Sequence, residues 1–510
     1  MRIPLDRESS VPLYQQIRDF LRREIQRGDL APETRLPPTR ELAAALGVNR
    51  LTVSSAYAEL EAEGLIYAHV GRGTFVASSP QSATTGIERR TALRTGEWPS
   101  WQQAYPRPLQ YAGRTEIERL LTLAANPGVI SFAQGTGASD LFPVAQFRQA
   151  MNEVLRRDKA DALGYGERAG YPPLRLTIAR VLASQGLAVS PDEIIITTGS
   201  QQALDLVART LLRPGDPVLV ESPTYSGALE VFEGVEARLI AVPMDEEGMR
   251  VEVVEELIQY ARPRLIYTIP TFHNPTGTAL GNARRRQLVA LSECYNIPIL
   301  EDDFVGDLRY DGPAQPALKT IDARGNVIYV STFSKMLMPG LRIGFLVASG
   351  PVYDHLLIRK RATDLATSNL IQRALEAYIT VGRYQAHLRR ACRIYRQRRD
   401  VMVQCLREQC PSEVTWNIPR GGLFIWVRLP GSVSVPQLYL EAIQEGVAFL
   451  PGTFLFPGNE EYPAIRLNFT VHPPDIITEG MRRLGRVLGR FLARAESGTI
   501  PSHDQKTVVV

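Results

Sequence analysis

The stretch from about residue 113 to 496 alternates short apolar runs with amphipathic helical segments, and this alternation constrains the fold more than any other feature of the chain. Runs such as "EIIITT", "RLIYTIP" and "VIYVST" are rich in β-branched and aromatic residues, as strands are. Alternation of such runs with helices is typical of an α/β fold. We therefore predict an α/β domain with a mostly parallel sheet over residues 113–496. A chain of 510 residues also leaves room for a second domain.

Residues 1–77 show a different pattern, in which three amphipathic helices precede two short β-prone runs. "VPLYQQIRDFLRREI" spaces its apolar residues for a first helix, and Gly28 ends it. "PPTRELAAALG" predicts a short second helix that ends at Gly47, and Asn49 can cap a third helix, "RLTVSSAYAELEAEG". A helix, a tight glycine turn and a helix form the helix-turn-helix arrangement. "LIYAHVGRGTFV" then predicts a hairpin wing around residues 71–73.

A helix-turn-helix with a wing favours DNA binding, and the alternative is a structural three-helix module with solvated arginines. Net charge does not separate the two, because residues 1–77 contain ten arginines and ten acidic residues. The distribution of charge favours DNA, since arginines lie in the turn, recognition and wing segments while three glutamates lie at the far end of the third helix. We predict that the start of the third helix enters a major groove, with other arginines near phosphates or the groove edge. The residues concerned are Asn49, Arg50, Thr52, Arg35, Arg40 and Arg72.

The run from Leu36 to Val76, "LPPTRELAAALGVNRLTVSSAYAELEAEGLIYAHVGRGTFV", resembles the winged helix-turn-helix of GntR-type transcription regulators. The likeness extends from the L-P-x-x-R-x-L-A start to the G-x-G-T-x-V wing and covers nearly all of residues 1–77. It implies that the DNA-contacting positions are Arg40, Asn49, Arg50, Thr52 and the wing residues Gly71, Arg72 and Gly73.

Two segments lack a sustained period. Residues 78–112 are rich in Ser, Thr, Gly and Pro and predict a linker, whose second half carries Trp98, Trp101 and Tyr105 and is expected to dock on another surface. Residues 497–510 predict a disordered tail.

Composition narrows the class of protein. The four cysteines form no CxxC pair and indicate reduced thiols, and no cluster of histidine, cysteine and acidic residues has metal-ligand spacing. The N-terminus lacks an apolar signal core, and no apolar run is long enough to cross a bilayer. We predict a cytoplasmic protein with neither a metal nor a membrane partner.

The loop "STFSKMLMPGLRIGF", residues 331–345, carries one of only five lysines in a chain with 58 basic residues. Arginine is the usual cation of this chain, and arginine would hold a phosphate well. Lysine differs because its amine can lose a proton and form a Schiff base with an aldehyde, whereas a guanidinium stays charged. Lys335 is therefore a candidate for covalent chemistry, and a phosphate clamp with Thr332, Ser334 and Arg342 is the simpler alternative.

Three further motifs follow candidate strands of the same domain. "EIIITTGSQQALDLVARTLL" predicts a strand, a Gly-Ser-Gln turn and a helix, whose first N–H groups can bind an anion together with Ser200 and Gln201. "NPTG" is a turn in which Asn274 is a candidate polar contact. "IPILEDDF" leads an apolar strand into residues 301–303, at the strand end where ligands bind in open α/β sheets. Each motif alone also fits capping, solvation or an ordinary turn.

A Schiff-base lysine, an acid for a pyridine nitrogen and a phosphate cup are together the requirements of pyridoxal 5′-phosphate. On these motifs, about 380 residues resemble fold-type I aminotransferases. "TFSKMLMPGLRIGF" is similar to their "SFSK…PGLRIGF", and their "NPTG" stands unchanged at residues 274–277. The resemblance implies that Lys335 holds the cofactor as an internal aldimine and that Asp302 keeps the pyridinium nitrogen protonated. It implies that Asn274 donates to O3′, that Tyr225 stacks on the ring, and that the phosphate is held by Ser200, Gln201, Thr332, Ser334 and Arg342.

The same resemblance assigns two more positions and shows one departure. Tyr165, in "LGYGERAGYPPLR", would reach the phosphate of the neighbouring subunit, which implies a homodimer with shared sites. Arg466, in "AIRLNF", would grip the α-carboxylate of an amino acid bidentately. The departure is Phe304, which stands where the family usually has a tyrosine that donates to O3′. Without that hydroxyl, cofactor binding is still expected and efficient transamination is less so.

A GntR-like head joined by a linker to an aminotransferase-like body is similar, from end to end, to MocR-type regulators. In that family the body usually acts as a sensor, in which an amino compound displaces the lysine to form an external aldimine and the DNA-binding heads change their spacing. The alternative is a working aminotransferase with an accessory DNA-binding head, which the intact Asn274 and Arg466 favour. A silent dimerisation scaffold fits less well, because it needs no lysine, aspartate and phosphate cup together. Because of Phe304, we predict a regulator that senses an amino acid or amine, with residual or full transaminase activity left open.

Overall fold

The computed structural model describes residues 3–7, 11–69, 73–77, 122, 124, 126, 128–458 and 461–496 of the 510-residue chain. These residues form two compact units, one within residues 1–109 and the other within residues 110–510. The predicted linker (78–112), the predicted tail (497–510) and Gly71 and Arg72 of the predicted wing lie outside the described residues.

The first unit is a three-helix module with a small antiparallel sheet. Its helices are α1 (Leu13–Arg27), α2 (Thr39–Leu46) and α3 (Arg50–Ala62), and its strands are β1 (Arg35–Leu36), β2 (Ile66–His69) and β3 (Gly73–Val76). β3 lies between β1 and β2 and pairs antiparallel with both. The predicted helix-turn-helix and the two strands of the predicted hairpin are thus confirmed.

Local sequence explains the turn between α2 and α3. Gly47 ends α2 with a φ of 61°, a left-handed conformation that costs glycine little. Two residues later the Asn49 Oδ1 accepts a hydrogen bond from the Leu51 N–H at 2.9 Å and caps α3. Val53 and Leu60, which are spaced to lie on one face of α3, are fully buried. One face of α3 therefore packs on the core, and its first turn stays at the surface.

The second unit begins with β4 (Ile130–Ser131) and continues with an eight-stranded sheet. The strands of that sheet are β5 (Ile194–Thr197), β6 (Pro217–Ser222), β7 (Arg238–Asp245), β8 (Gly248–Met249), β9 (Leu265–Thr268), β10 (Ile299–Asp303), β11 (Val327–Thr332) and β12 (Gly344–Val347). Their order across the sheet is β5-β12-β11-β10-β9-β6-β7-β8. β12 runs antiparallel to both of its neighbours and β8 runs antiparallel to β7, whereas the other pairs are parallel. The predicted mostly parallel sheet is confirmed.

Both faces of this sheet are buried. Alternate residues of the central strands pack into two different hydrophobic clusters, with Val218 and Leu300 in one and Leu219 and Ile299 in the other. Side chains alternate between the two faces of a strand, so strands that are covered on both faces have nearly continuous apolar sequences. Each such buried aliphatic side chain stabilises the fold by about 1.5–3 kcal/mol.

Helices precede, connect and follow the strands of this sheet and cover both of its faces. They are α4 (Val144–Asp158), α5 (Pro172–Ser184), α6 (Ser200–Leu211), α7 (Ser226–Gly234), α8 (Val251–Ala261), α9 (Asn282–Tyr295), α10 (Leu318–Ile321), α11 (Pro351–Asp364), α12 (Asn369–Thr380), α13 (Arg383–Gln409), α14 (Val435–Gln444) and α15 (Pro474–Glu496). Over the part of the chain that the structure describes, no helix has both the length and the apolar composition needed to span a membrane.

A smaller antiparallel sheet forms the C-terminal part of this unit. Its strands are β13 (Thr415–Trp416), β14 (Phe424–Arg428), β16 (Leu450–Pro451) and β17 (Ala464–Asn468), in the order β13-β14-β17-β16, while β15 (Val447–Ala448) pairs in parallel with β4. The segment that follows β4 runs beside β17, where the Asn468 N–H donates to the Phe132 carbonyl at 2.9 Å. This contact brings the loop after β4 next to Arg466.

The parallel strands β5, β9, β10 and β11 direct their carboxyl ends to one edge of the large sheet. Asp302 lies at the end of β10, Lys335 shortly after β11, Asn274 after β9 and Ser200 after β5. Ligands of open α/β sheets bind outside this edge. The fold therefore gathers the candidate residues that the sequence placed at separate strand ends.

Candidate functional site

A cavity of about 510 Å³ opens at this edge of the sheet. Six of the residues that were predicted to form the site line it: Lys335, Asp302, Asn274, Tyr225, Ser200 and Arg466. The rest of its described lining consists of Ala124, Ser131, Ala133, Gln134, Gly135, Thr136, Ser226, Ile269, Phe304 and Leu450.

Asp302 is a buried carboxylate with one oxygen left without a partner. The Tyr267 hydroxyl donates to its Oδ2 at 3.0 Å, and its Oδ1 has no hydrogen bond to any described residue. Burial raises the pKa of Asp302 to about 7, and the nearby Asp303 and Glu221 carboxylates act in the same direction. A cationic N–H donor at Oδ1 would satisfy the free oxygen and favour the ionised form. The site therefore suits a protonated ring nitrogen.

Lys335 lies in the loop after β11 with its amine beside Arg466. A Cβ on Gly135 would lie 4.0 Å from the Lys335 Nζ and 3.9 Å from the Arg466 Nη2, so both nitrogens border the same small space. Burial lowers the pKa of Lys335 to about 8, and the positive charges of Arg466 and Arg342 act in the same direction. More of this amine is uncharged near neutral pH than in an exposed lysine, as a nucleophile requires.

Strand register brings together the two segments that were predicted to hold a phosphate, the Thr198–Ser200 turn and the loop of Lys335, and this place is called the anion cup below. Thr332, Gly344 and Thr197 lie side by side across β11, β12 and β5, so the segments that follow β11 and β5 come together. A Cβ on Gly344 would lie 2.6 Å from a backbone carbon of Gly199, and only glycine permits this close approach. The first N–H groups of α6 therefore begin beside the loop of Lys335, where they favour an anion.

The five residues that were predicted to bind the phosphate differ in which of their hydrogen-bonding groups already have a partner. Ser200 lines the cavity, and the buried Ser334 hydroxyl has no partner among the described residues. The Arg342 Nη2 donates to the Thr198 carbonyl at 2.9 Å, which leaves its other N–H groups for a ligand. The Thr332 hydroxyl donates to the Ile343 carbonyl at 3.1 Å.

Gln201 and Tyr225 are linked to each other at one wall of the cavity. The Gln201 Nε2 donates to the Gly227 carbonyl at 2.7 Å, and the Tyr225 hydroxyl donates to the Gln201 Oε1 at 3.1 Å. Burial raises the pKa of Tyr225 to about 12, so this hydroxyl stays protonated. Gln201 thus holds Tyr225, and its own contact with a phosphate stays a prediction.

Arg466 is a buried cation without an anionic partner among the described residues. Its Nη1 donates to the Asn274 Oδ1 at 2.9 Å and its Nη2 to the Ala133 carbonyl at 2.9 Å, while its Nε has no partner. The guanidinium lies 4.1 Å from the centre of the Phe424 ring. Burial lowers the pKa of Arg466 to about 9. An unpaired buried charge is costly, so this position favours a ligand that carries an anion.

The structure does not bring Tyr165 to the cavity. Its side chain is 89% exposed, in the segment before α5, and borders a separate surface depression with Asn369 and Arg373. Its predicted contact with a phosphate would have to be made in another copy of the chain. Phe304, in contrast, does line the cavity and stacks on Phe424 with 6.5 Å between ring centres, so no hydroxyl is supplied at this position.

Sequence reasoning missed the loop after β4 and the residue that holds it. Gln134, Gly135 and Thr136 line the cavity, and the buried Asn468 Nδ2 donates to the Gln134 and Thr136 carbonyls at 2.8 Å each. The sequence did contain a signal for Asn468, because it lies two residues after Arg466 in the same strand, and residues two apart in a strand share a face. Tyr267 was missed as well, since only the structure shows that it contacts Asp302.

In the first unit, the described residues that were predicted to contact DNA lie in several elements: Arg35 in β1, Arg40 in α2, Gly73 in β3, and Asn49, Arg50 and Thr52 at the start of α3. Arg35, Arg40 and Arg50 are exposed, Asn49 caps the helix, and Thr52 is half-buried. Gly73 is described, and a Cβ there would lie 2.9 Å from the Arg35 Nε, so Arg35 lies against the wing. Leu51, which was not predicted, is 73% exposed beside them.

The acidic end of α3 is neutralised from within the unit. Arg18 of α1 donates to Glu59 at 2.6 Å, and Arg22 of α1 pairs with Glu63. These glutamates therefore lie on the α1 side of the helix, away from the exposed arginines at its start.

Comparison with known proteins agrees with this geometry. The family model "Aminotransferase class I and II" matches residues 127–484, and the model "Bacterial regulatory proteins, gntR family" matches residues 13–76. The chain is 38% identical over 380 residues to aromatic-amino-acid aminotransferase 1 of Thermococcus litoralis, a match that covers 73% of this chain and 91% of that protein. It is 32% identical over 498 residues to the probable rhizopine catabolism regulatory protein MocR of Rhizobium meliloti, covering 98% of this chain and 97% of that protein.

A solved structure shares the architecture of the second unit. LysN, the α-aminoadipate aminotransferase of Thermus thermophilus, was solved with N-(5′-phosphopyridoxyl)-L-leucine and matches with a TM-score of 0.71 at 36% identity. The match covers 78% of this chain and all of that one.

Pyridoxal 5′-phosphate is the cofactor of this family, and the cavity fits it. Three buried polar atoms without partners among the described residues, the Asp302 Oδ1, the Ser334 Oγ and the Arg466 Nε, are suited to a ring N–H, a phosphate and a carboxylate. When bound, the cofactor supplies an aldehyde that condenses reversibly with a primary amine. An amine of lowered pKa, that of Lys335, lines the same cavity. With a GntR-type head and an aminotransferase-type body in one chain, the protein belongs to the MocR-type transcriptional regulators.

Proposed function

We propose that this protein is a DNA-binding transcription regulator that senses an amino acid or a related amine through pyridoxal 5′-phosphate. The observation that carries the proposal is the buried guanidinium of Arg466 beside the Lys335 amine. Among the described residues, no carboxylate pairs with this guanidinium. An α-amino acid carries a carboxylate and an amine close together. The carboxylate suits the Arg466 guanidinium, and the amine can take the place of the Lys335 amine. The effector amine would replace Lys335 at the cofactor aldehyde while Arg466 binds the carboxylate.

The residues divide this exchange between them. In such an exchange one amine would take the place of another, so Lys335 would be released as a free amine and no water would be consumed. Asp302 would hold the proton on the ring nitrogen, and the Tyr267 hydroxyl fixes the orientation of that carboxylate. The Asn274 oxygen accepts from Arg466, which orients the amide, and the amide nitrogen, which has no partner among the described residues, would be available to donate to the cofactor. The released Lys335 and the occupied Arg466 would together change the packing of the body and the spacing of the DNA-binding heads.

A second function, transamination, is favoured by a specific observation. Lys335, Asn274 and Arg466 all line the cavity, and relatives such as LysN are aminotransferases. Transamination asks more of the site than sensing does, because Lys335 must also move a proton from the substrate Cα. Phe304 removes one donor from the site, and we therefore rank sensing first.

One experiment separates the two functions. Purified holoprotein is mixed with a panel of L-amino acids and 2-oxoglutarate while the cofactor absorbance is followed and keto acids are assayed. Sensing predicts a spectral shift with at least one amino acid and no accumulation of pyridoxamine phosphate or new keto acid. In a parallel gel shift, the same amino acid should change the binding of DNA from upstream of the gene. Steady keto-acid production would overturn the ranking in favour of transamination.

We further propose a homodimer with shared sites, acting in the cytoplasm, where the DNA is. Tyr165 supports the dimer, because its side chain is 89% exposed and lies outside its own cavity, where it is accessible to the cavity of a second copy. A dimer would also present two heads, and paired heads bind paired half-sites on DNA.

The DNA-binding role predicts a clear effect of one substitution. Arg50→Ala should weaken binding to the upstream DNA by about tenfold to a hundredfold, because a good arginine contact to a base or phosphate contributes about 1–3 kcal/mol. The matched control is Arg27→Ala, since Arg27 is also exposed but lies at the far end of α1. Gel shifts at two salt concentrations measure both variants. Equal binding by Arg50→Ala and the parent would mean that α3 is not the recognition helix.

A further inference from the structure

A second lysine, Lys360, is fully buried in a chain whose basic residues are mostly arginines. It is one of the five lysines, it lies in α11, and its side chain has no solvent exposure. It does not line the cofactor cavity. Because a buried amine is costly unless its hydrogen bonds and charge are compensated, its contacts should reveal its role.

Hydrogen bonds of Lys360 link the Asp364 carboxylate, through Thr367, to strand β5 of the large sheet. Its Nζ donates to the Asp364 Oδ1 at 2.7 Å and to the Thr367 hydroxyl at 3.0 Å. The Thr367 hydroxyl in turn donates to the Ile196 carbonyl, in β5, at 3.4 Å. Asp364 itself is only partly exposed, with 21% of its side chain accessible, so its position is set by these partners.

The other oxygen of Asp364 is linked by two hydrogen bonds, through Gln202, to Thr198 at the anion cup. The Gln202 Nε2 donates to the Asp364 Oδ2 at 2.9 Å, and the Gln202 Oε1 accepts from the Thr198 N–H at 2.9 Å. On the opposite side, Arg342 donates to the Thr198 carbonyl at 2.9 Å. Thr198 is thus held at both its N–H and its carbonyl, immediately before the turn that opens α6.

This turn needs such support because its next residue is a glycine. Gly199 has φ 110° and ψ 167°, a conformation that glycine adopts freely together with many others. An unrestrained glycine turn would lose conformational entropy each time it ordered around a ligand. With Thr198 fixed on both sides, the N–H groups at the start of α6 are aligned before an anion arrives.

We propose that Lys360 is a positioning residue for the cofactor phosphate, acting through Asp364 and Gln202 to fix the Thr198–Ser200 turn. The inference rests on the proposed placement of the phosphate at this turn. Lysine suits the position better than arginine, because its compact ammonium can direct donors to a carboxylate and a hydroxyl in a space without solvent. Burial lowers the pKa of Lys360, and its hydrogen bond and ion pair with Asp364 act in the opposite direction.

The test compares two aldehydes that differ only in the phosphate. Apoprotein is titrated with pyridoxal 5′-phosphate and with pyridoxal, and the absorbance of the protein-bound aldehyde gives both affinities. In Lys360→Met, the affinity for pyridoxal 5′-phosphate should fall about tenfold or more, as expected when a buried charged hydrogen bond is lost, while the affinity for pyridoxal stays within about twofold. The matched control is Lys319→Met, because Lys319 is 9% exposed and pairs with Asp322 at 3.0 Å away from the cavity.

The possible outcomes distinguish the positioning role from a structural one. An equal loss for both aldehydes in Lys360→Met, with a lowered melting temperature, would make Lys360 a stability residue and overturn the proposal. If Lys360→Met does not fold, Gln202→Ala interrupts the same path at a half-buried residue and should show the same selective loss. Unchanged selectivity in Gln202→Ala would then overturn the proposal. A parent protein that binds both aldehydes equally would instead refute the placement of the phosphate at this turn.

Discussion

Lys335→Arg is expected to abolish covalent capture of the cofactor while leaving its phosphate cup in place. A guanidinium stays charged near neutral pH and cannot form the bond to the aldehyde, whereas the Lys335 amine has a pKa lowered to about 8. After borohydride reduction, intact-mass measurement should find the cofactor bound to the parent protein and none bound to the variant. The response of DNA binding to the effector should disappear with it.

The matched control for this prediction is Lys319→Arg, which makes the same change at a lysine outside the cavity. It should retain the full adduct. An adduct of normal yield in Lys335→Arg would show that another amine carries the aldehyde, and the sensing proposal would then lose its central residue.

Arg466→Met is expected to weaken the binding of amino acids that carry an α-carboxylate by about tenfold to a hundredfold. Hydrogen bonds to a charged group contribute about 1.5–3 kcal/mol each, and this guanidinium is buried and has no acidic partner among the described residues. The probe pair is L-leucine and isopentylamine, which is leucine without its carboxylate. Titrations of the cofactor spectrum should show the loss for leucine and a change of less than about twofold for the amine.

Arg428→Met serves as the control, because Arg428 lies in β14, the strand next to β17, and is exposed. Both variants should keep the cofactor. If leucine binds equally well to Arg466→Met and to the parent, the carboxylate is not bound by this residue, and the class of effector must be reconsidered.

Most of the head of the protein could be predicted from sequence, but β1, which pairs with the distant strand β3, was not predicted. Its helix boundaries depend on local signals, such as the left-handed Gly47 and the Asn49 cap, and those signals act within a few residues. Its inward-facing residues follow from helical spacing, and Val53 and Leu60 are indeed buried. Because most of these interactions are local, little in the head depends on the rest of the chain.

The candidate site was predictable in part, because the large domain concentrates its polar residues at strand ends. Lys335, Asp302 and Asn274 each follow an apolar run that had to become a buried strand, and parallel strands end at one edge. The roles within the phosphate cup were less predictable. Thr332 and Gln201 carried the expected side chains, yet their donors are engaged by Ile343 and Gly227, which no local pattern indicates.

By itself, the sequence determined which segments become helices and strands and which of them end in reactive or polar residues, because hydrophobic period, caps and turns are short-range. The tertiary structure alone decided which polar atoms are left free to bind. Arg466 meets Asn274 and Ala133 across 192 and 333 residues of chain, and Lys360 reaches the anion cup through Gln202, which lies 162 residues from Asp364. Whether a buried group is satisfied depends on every neighbour that the fold brings to it, and such neighbours are distant in sequence.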